Sequence, residues 1–131
     1  NKIEPQKRPL SSMSPTMVFR SDSLLMVTGS PGGSKIITTV AHSILRYFQF
    51  DRSLNHAVND PKYHHQHLPD ILYYEIGAFE KSEASRLEEM GYTLKERSDY
   101  SNLNAVARKD PKRRWEAESD RRRKGEAAVL Y

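Results

Sequence analysis

The residues best placed to do chemistry in this sequence are backbone groups, in Gly29-Ser30-Pro31-Gly32-Gly33-Ser34. Glycine lacks the Cβ that would hold a ligand away from the main chain, so the N–H groups here can turn toward negative charge. The positive end of a helix starting at this point would add to that attraction. Three uses are open to such a turn. It can cradle phosphate, although G-x-x-x-x-G-K-[ST] is absent, because neither Ser nor Thr follows Lys35. It can be a plain tight turn before a core helix. It can also be an oxyanion hole, whose N–H groups stabilise the charge that develops on a carbonyl oxygen during acyl transfer.

A second candidate lies upstream, in Arg8-Pro9-Leu10-Ser11-Ser12-Met13-Ser14-Pro15-Thr16. Two prolines and three serines rule out a regular helix. The hydroxyls and free N–H groups of such a loop can hold an anion such as a carboxylate, and a merely solvated loop is the plainer alternative.

The elements that must position these loops follow from patterning. Residues 16–19 and 24–28 read as two strands joined across Arg20-Ser21-Asp22-Ser23 in a hairpin. Ile36, Ile37, Val40, Ala41, Ile44, Leu45 and Phe48 recur at helical steps, predicting a helix over 34–49 with one apolar face and Ser34 as its N-cap. An antiparallel pair would bring the serine loop, before its first strand, and the glycine turn, after its second, to neighbouring positions. One substrate could then be held at two places.

Further along, the pattern predicts a short helix over 54–59 ended by Pro61, a strand over 71–75 and a helix over 80–90 closed by Gly91. Strands are predicted at 92–96, 103–108 and 115–118, with a turn at Asp110-Pro111-Lys112 and a last short strand at 126–131. Tyr63-His64-His65-Gln66-His67 invites a metal reading, since His65 and His67 would share a face of a strand. No Cys or clear third and fourth ligand accompanies it, so a structural segment is the stronger reading. A Ser-His-Asp triad lacks support, because G-x-S-x-G is missing and nothing sets a base beside a particular hydroxyl.

Composition narrows the class. The chain has 131 residues, 37% of them hydrophobic, and no Cys, which removes disulfide and thiol chemistry. Its strongest apolar segments lie between Leu24 and Phe50, and mean hydropathy is −0.78. That profile suits part of a larger fold, because a small core must offset a large ordering entropy. No stretch is long and apolar enough to span a bilayer. The sequence opens on Asn1 without an initiator Met, as expected of a chain cut from a longer precursor. The net charge of +4 comes with Lys112-Arg113-Arg114 and Arg121-Arg122-Arg123-Lys124 interleaved with Glu116, Glu118 and Asp120. Such mixing predicts a solvated, paired surface, and no nucleic-acid partner is expected.

Pro9-Leu10-Ser11-Ser12-Met13-Ser14-Pro15-Thr16, then Gly29-Ser30-Pro31-Gly32-Gly33-Ser34 and Ile36-Ile37-Thr38-Thr39-Val40, resemble the small subunit of gamma-glutamyltransferases, the glutathione hydrolases. The resemblance continues into His64-His65-Gln66 and Leu68-Pro69-Asp70, and weakly into the charged tail before Gly125. It implies an α+β fold, the N-terminal-nucleophile hydrolase αββα sandwich, of which this chain is one part. The whole chain would form the C-terminal portion of the small subunit, in a single domain shared with the large subunit. Family members cut themselves from a precursor, and the new N-terminal Thr attacks the gamma-glutamyl amide with its own α-amino group as base.

By motif, Ser11 and Ser12 would bind the glutamyl α-carboxylate, and Gly32 and Gly33 would form the oxyanion hole. The nucleophile and the ligands for the substrate α-amino group belong upstream of this sequence, and a carboxylate-binding Arg belongs to the large subunit. The partners implied are therefore the large subunit, the upstream segment of the small subunit and a small gamma-glutamyl substrate, with no metal and no cofactor. This chain alone is expected to be inactive. His67 stands where relatives tend to have Trp, which implies a packing difference there. Export to the periplasm or cell exterior is likewise an implication of the resemblance. Two alternatives stay open: an inactive relative or other gamma-glutamyl amide hydrolase, and a non-enzymatic anion-binding module.

Overall fold

In the computed structural model, residues 2–98, 101–123 and 125–129 are described. Strands β1 (Thr16–Arg20) and β2 (Ser23–Gly29) form the expected antiparallel hairpin, with Ser21 in the left-handed region at its tip. The chain then passes through a 3-10 turn (Gly33–Lys35) into α1 (Ile36–Ile44), which widens into a π turn over Leu45–Gln49. Next come α2 (Leu54–Asn59), β3 (Tyr63–His64), β4 (Leu72–Tyr74), α3 (Lys81–Glu89), β5 (Leu94–Glu96), β6 (Asn104–Ala107) and β7 (Glu116–Ser119). No helix among the described residues is long and apolar enough to cross a membrane.

Local chemistry explains the boundaries. The Ser53 hydroxyl accepts from the His56 N–H and starts α2, and Pro61 follows its end. Glu80 and Glu83 form a capping box on α3, and Gly91, at φ 95°, leaves that helix in the left-handed conformation natural to glycine. Two expectations fail. Residues 125–129 form no strand, while Leu130 and Tyr131 lie outside the described residues. Ser34 does not cap α1, because the 3-10 turn moves the helix start one residue on, to Lys35, and no side-chain oxygen reaches a first-turn N–H.

Among the described residues the strands form two sheets. One is four-stranded and wholly antiparallel, in the order β1-β2-β6-β7, and the other is three-stranded, in the order β3-β4-β5. The core lies between one face of the larger sheet and the helices α1 and α2. Met26, Ala105 and Ala107 meet Ile36, Val40, Tyr47, Leu54 and Val58 there. On the opposite face, the register aligns Met17, Val27, Val106 and Ala117 in one row across all four strands. Residues 126–128 line one cavity with Val27, Val106 and Ala117, while Met17 at the edge of the row is 63% exposed.

The apolar stripe of α1 is wider than the face it buries. Ile36 and Val40 are buried with Thr39, Ser43 and Tyr47, while Ile37 is 56% exposed and Ala41 and Leu45 are exposed beside it. The helix thus leaves apolar side chains open on the side away from the core.

Candidate functional site

The glycine turn stands at the end of β2, whose aliphatic run makes it a central strand. Gly29 still pairs with Asn104 of β6, after which the chain leaves the sheet. Gly32 has φ 138° and Gly33 has φ 61°, so both occupy backbone conformations that other residues adopt only under strain. Gly32 is also pressed for space, since a β-carbon there would lie 2.6 Å from the Ser101 Cβ. Ile36 N–H bonds Gly33 O, and the N–H groups of Gly33 and Ser34 lie ahead of it at the positive end of α1. Such an arrangement suits an anion or a carbonyl oxygen gaining charge.

Ser11 and Ser12 lie in the loop before β1. The Ser11 hydroxyl accepts from Met13 N–H at 3.3 Å, the Ser14 hydroxyl donates to Ser12 O at 3.1 Å, and Thr16 donates to Ser14 O at 3.0 Å. Each bond spans two residues. Because Thr16 pairs with Thr28, the serine loop and the glycine turn leave the sheet at the same end. Among the described residues no hydrogen bond joins Ser11 or Ser12 to Gly32 or Gly33.

The histidines part company. The strand stops at His64, so His65 and His67 do not share the strand face expected of them. His64 is buried, with Nδ1 2.8 Å from Thr38 Oγ1 and Nε2 2.9 Å from Gln66 Oε1. His65 meets Asp70 at 2.8 Å, and His67 sits in the left-handed region. Among the described residues no group of three or more His, Cys, Asp or Glu could hold a metal ion.

The expected solvated charge face holds at Lys112, Arg113, Arg114, Glu116, Arg121 and Arg123, which are exposed, and is corrected at Asp120 and Arg122. Asp120 is 0% exposed and Lys62 1%, with Lys62 Nζ 2.6 Å from Asp120 Oδ2. Arg122 bonds Asp120 at 2.8 Å and Glu75 through two nitrogens, one at 2.6 Å. Burial pushes the Asp120 carboxyl up, but the bonds from Lys62 and Arg122 outweigh it and hold the group below the usual carboxylate range. Burial lowers the Lys62 ammonium despite its partner. Lys124 lies outside the described residues. Nothing local marks this quartet, since Lys62 and Asp120 are separated by 58 positions.

Sequence reasoning also missed His42 and Tyr47. Burial, with Arg46, His64 and Lys62 nearby, lowers His42 to about 4. Burial and a 2.7 Å bond to Glu116 push the Tyr47 hydroxyl up.

An α+β chain whose central strand ends in a left-handed glycine pair, with helix donors beyond it, fits one part of an N-terminal-nucleophile hydrolase fold. The gamma-glutamyltranspeptidase family pattern matches residues 1–130. The chain is 49% identical over 77 residues to the glutathione hydrolase proenzyme of Escherichia coli K12, an alignment covering 59% of this chain and 13% of that protein. It is 39% identical over 133 residues to the glutathione hydrolase proenzyme of Pseudomonas aeruginosa, covering 99% of this chain and 24% of that one. It also superposes on the gamma-glutamyltranspeptidase of Pseudomonas nitroreducens complexed with L-DON, with a TM-score of 0.85, 37% identity, all of this chain and 68% of that one. The chain belongs to the gamma-glutamyltranspeptidase family, and it spans 24% or less of the length of these curated relatives.

Proposed function

We propose that this chain supplies two substrate-holding elements to a gamma-glutamyl transferase and hydrolase whose nucleophile lies on an upstream segment. The observation that carries the reading is the Gly32-Gly33 pair, both residues at positive φ, with helix donors placed ahead of the Ile36 N–H bond to Gly33 O. In the reaction, a threonine Oγ attacks the gamma-glutamyl carbonyl carbon, and the α-amino group of that threonine takes its proton. The carbonyl oxygen becomes an oxyanion, and the N–H groups around Gly32 and Gly33 donate to it. Collapse of this intermediate breaks the C–N bond, and the leaving amine takes up the proton. Water or an acceptor amine then attacks the acyl-enzyme, and the glutamyl group departs as glutamate or a new amide.

Ser11 and Ser12 hold the glutamyl α-carboxylate. The partners are the large subunit and the upstream part of the small subunit, released together from one precursor, which accords with relatives named as proenzymes. The exposed Ile37, Ala41 and Leu45 side of α1 supports a shared domain, since apolar side chains there need another layer to exclude water. The family resemblance assigns the complete protein to the periplasm or cell exterior, which cell fractionation tests.

The test of the reaction is hydrolysis of a chromogenic gamma-glutamyl anilide by the complete precursor, with mass analysis of its products. Release of the anilide with a new N-terminal Thr is expected. An intact precursor that releases nothing overturns the reading in favour of an inactive relative or an anion-binding module.

A further inference from the structure

Thr38 and Thr39 occupy the first turn of α1, directly after the glycine pair. Their side chains point about 100° apart around the helix axis, and each is held by a residue distant in sequence. The Thr39 hydroxyl lies 2.8 Å from the Ser101 hydroxyl, a buried contact between residues 62 positions apart. The Thr38 hydroxyl is shared between Lys35 O at 3.1 Å and His64 Nδ1 at 2.8 Å. His64 in turn meets Gln66, whose amide nitrogen donates to Leu68 O at 2.8 Å. Two anchors on different sides of one turn fix both the position and the roll of a helix start.

Ser101 does a second thing. Its Cβ and Oγ occupy the space a Gly32 side chain would need, at 2.6 and 2.9 Å from that position. One buried residue therefore sets the spacing between the glycine turn and the helix behind it. We infer that Ser101 and Thr39, with His64 and Thr38 as a second brace, are positioning residues that hold the Gly32-Gly33 donors where the oxyanion forms. This rests on the acyl-transfer reading above. A hydroxyl pair suits the task because its bond is directional, whereas apolar packing would let the turn slide.

The test is a double-mutant cycle in the complete protein with the gamma-glutamyl anilide as substrate, using Thr39→Val, Ser101→Ala and the combined variant. Each single change is expected to lower kcat roughly tenfold and leave KM within about twofold, because a displaced oxyanion donor acts on the transition state. Thr39→Ser, which keeps the hydroxyl, is expected to retain kcat. Each single variant also leaves one buried hydroxyl unpaired and lowers Tm, whereas the combined variant removes both and recovers much of that loss. Its kcat is expected to stay as low as in the singles. A kcat that recovers together with Tm would overturn the inference and leave a purely structural contact. So would a loss carried by KM. An active wild type with unchanged variants overturns this inference alone, while an inactive wild type overturns the acyl-transfer reading and the inference with it.

Discussion

The two loops that leave the larger sheet at the same end are built in opposite ways. The glycine turn is braced from outside, by Thr38 and Thr39 to His64 and Ser101, bonds that span 26 and 62 positions. The serine loop is held by bonds that span two residues each, and Ser11 is exposed. The turn proposed to meet developing charge is thus fixed by distant bonds within this chain, while the loop proposed for the substrate carboxylate is held by local ones. That division matches the chemistry, because a transition-state donor tolerates little displacement and a ground-state contact tolerates more.

The largest effect that would break this comparison is expected from the turn itself. Gly33→Val places a β-branched residue at φ 61° and should lower kcat of the complete protein about a hundredfold or more, measured by anilide release. An unchanged kcat would remove Gly33 from the oxyanion hole. Next comes the framework. Lys62→Met strands Asp120 as a buried, half-compensated charge and should lower the unfolding free energy by about 3–5 kcal/mol, read from urea midpoints. If the turn is as rigidly braced as its bonds imply, kcat of the fraction that stays folded should change far less than in Gly33→Val.

On the serine side, replacing Ser11 and Ser12 with Ala should raise KM roughly tenfold with kcat nearly constant, since their contacts serve ground and transition states alike. A fall in kcat with unchanged KM would reverse the assignment of the two loops.

The smallest effect concerns pH. His42 stands one turn along α1 from the brace, with Arg46, His64 and Lys62 around it, and titrates at about 4 in the fold against 6.5 ordinarily. Its folded value is depressed, so its contribution to stability is complete above pH 6.5 and is lost as pH falls toward 4. Asp120 adds to this at lower pH, where its carboxylate begins to bind protons. His42→Gln should flatten the stability profile between those limits, followed by thermal melting across the range.

What was legible in the sequence shares a property. The β1–β2 hairpin, α2, α3 with Gly91 and the glycine turn are each marked by residues within a few positions of the feature. The turn at Gly32 and Gly33 could be read because its positive φ values demand glycine. The Lys62-Asp120-Arg122-Glu75 quartet could not, since a charge run on a surface and one folded inward have the same composition. The buried face of α1 was blurred for a related reason. Ile37, Ala41 and Leu45 are as apolar as Ile36 and Val40, and only the packing distinguishes a side that meets this chain from one left for another. The two threonines of the brace carried a faint signal, as hydroxyl-bearing β-branched residues opening a helix they do not favour.

The quartet also sets an order of events during synthesis. While the ribosome is still making residues 63–119, Lys62 lacks the Asp120 carboxylate that its ammonium bonds in the fold, and burying that ammonium without it would be strongly unfavourable. The central strand β2 likewise waits for β6. Burial of Lys62 against the end of α2 is therefore completed only once Asp120 has been made.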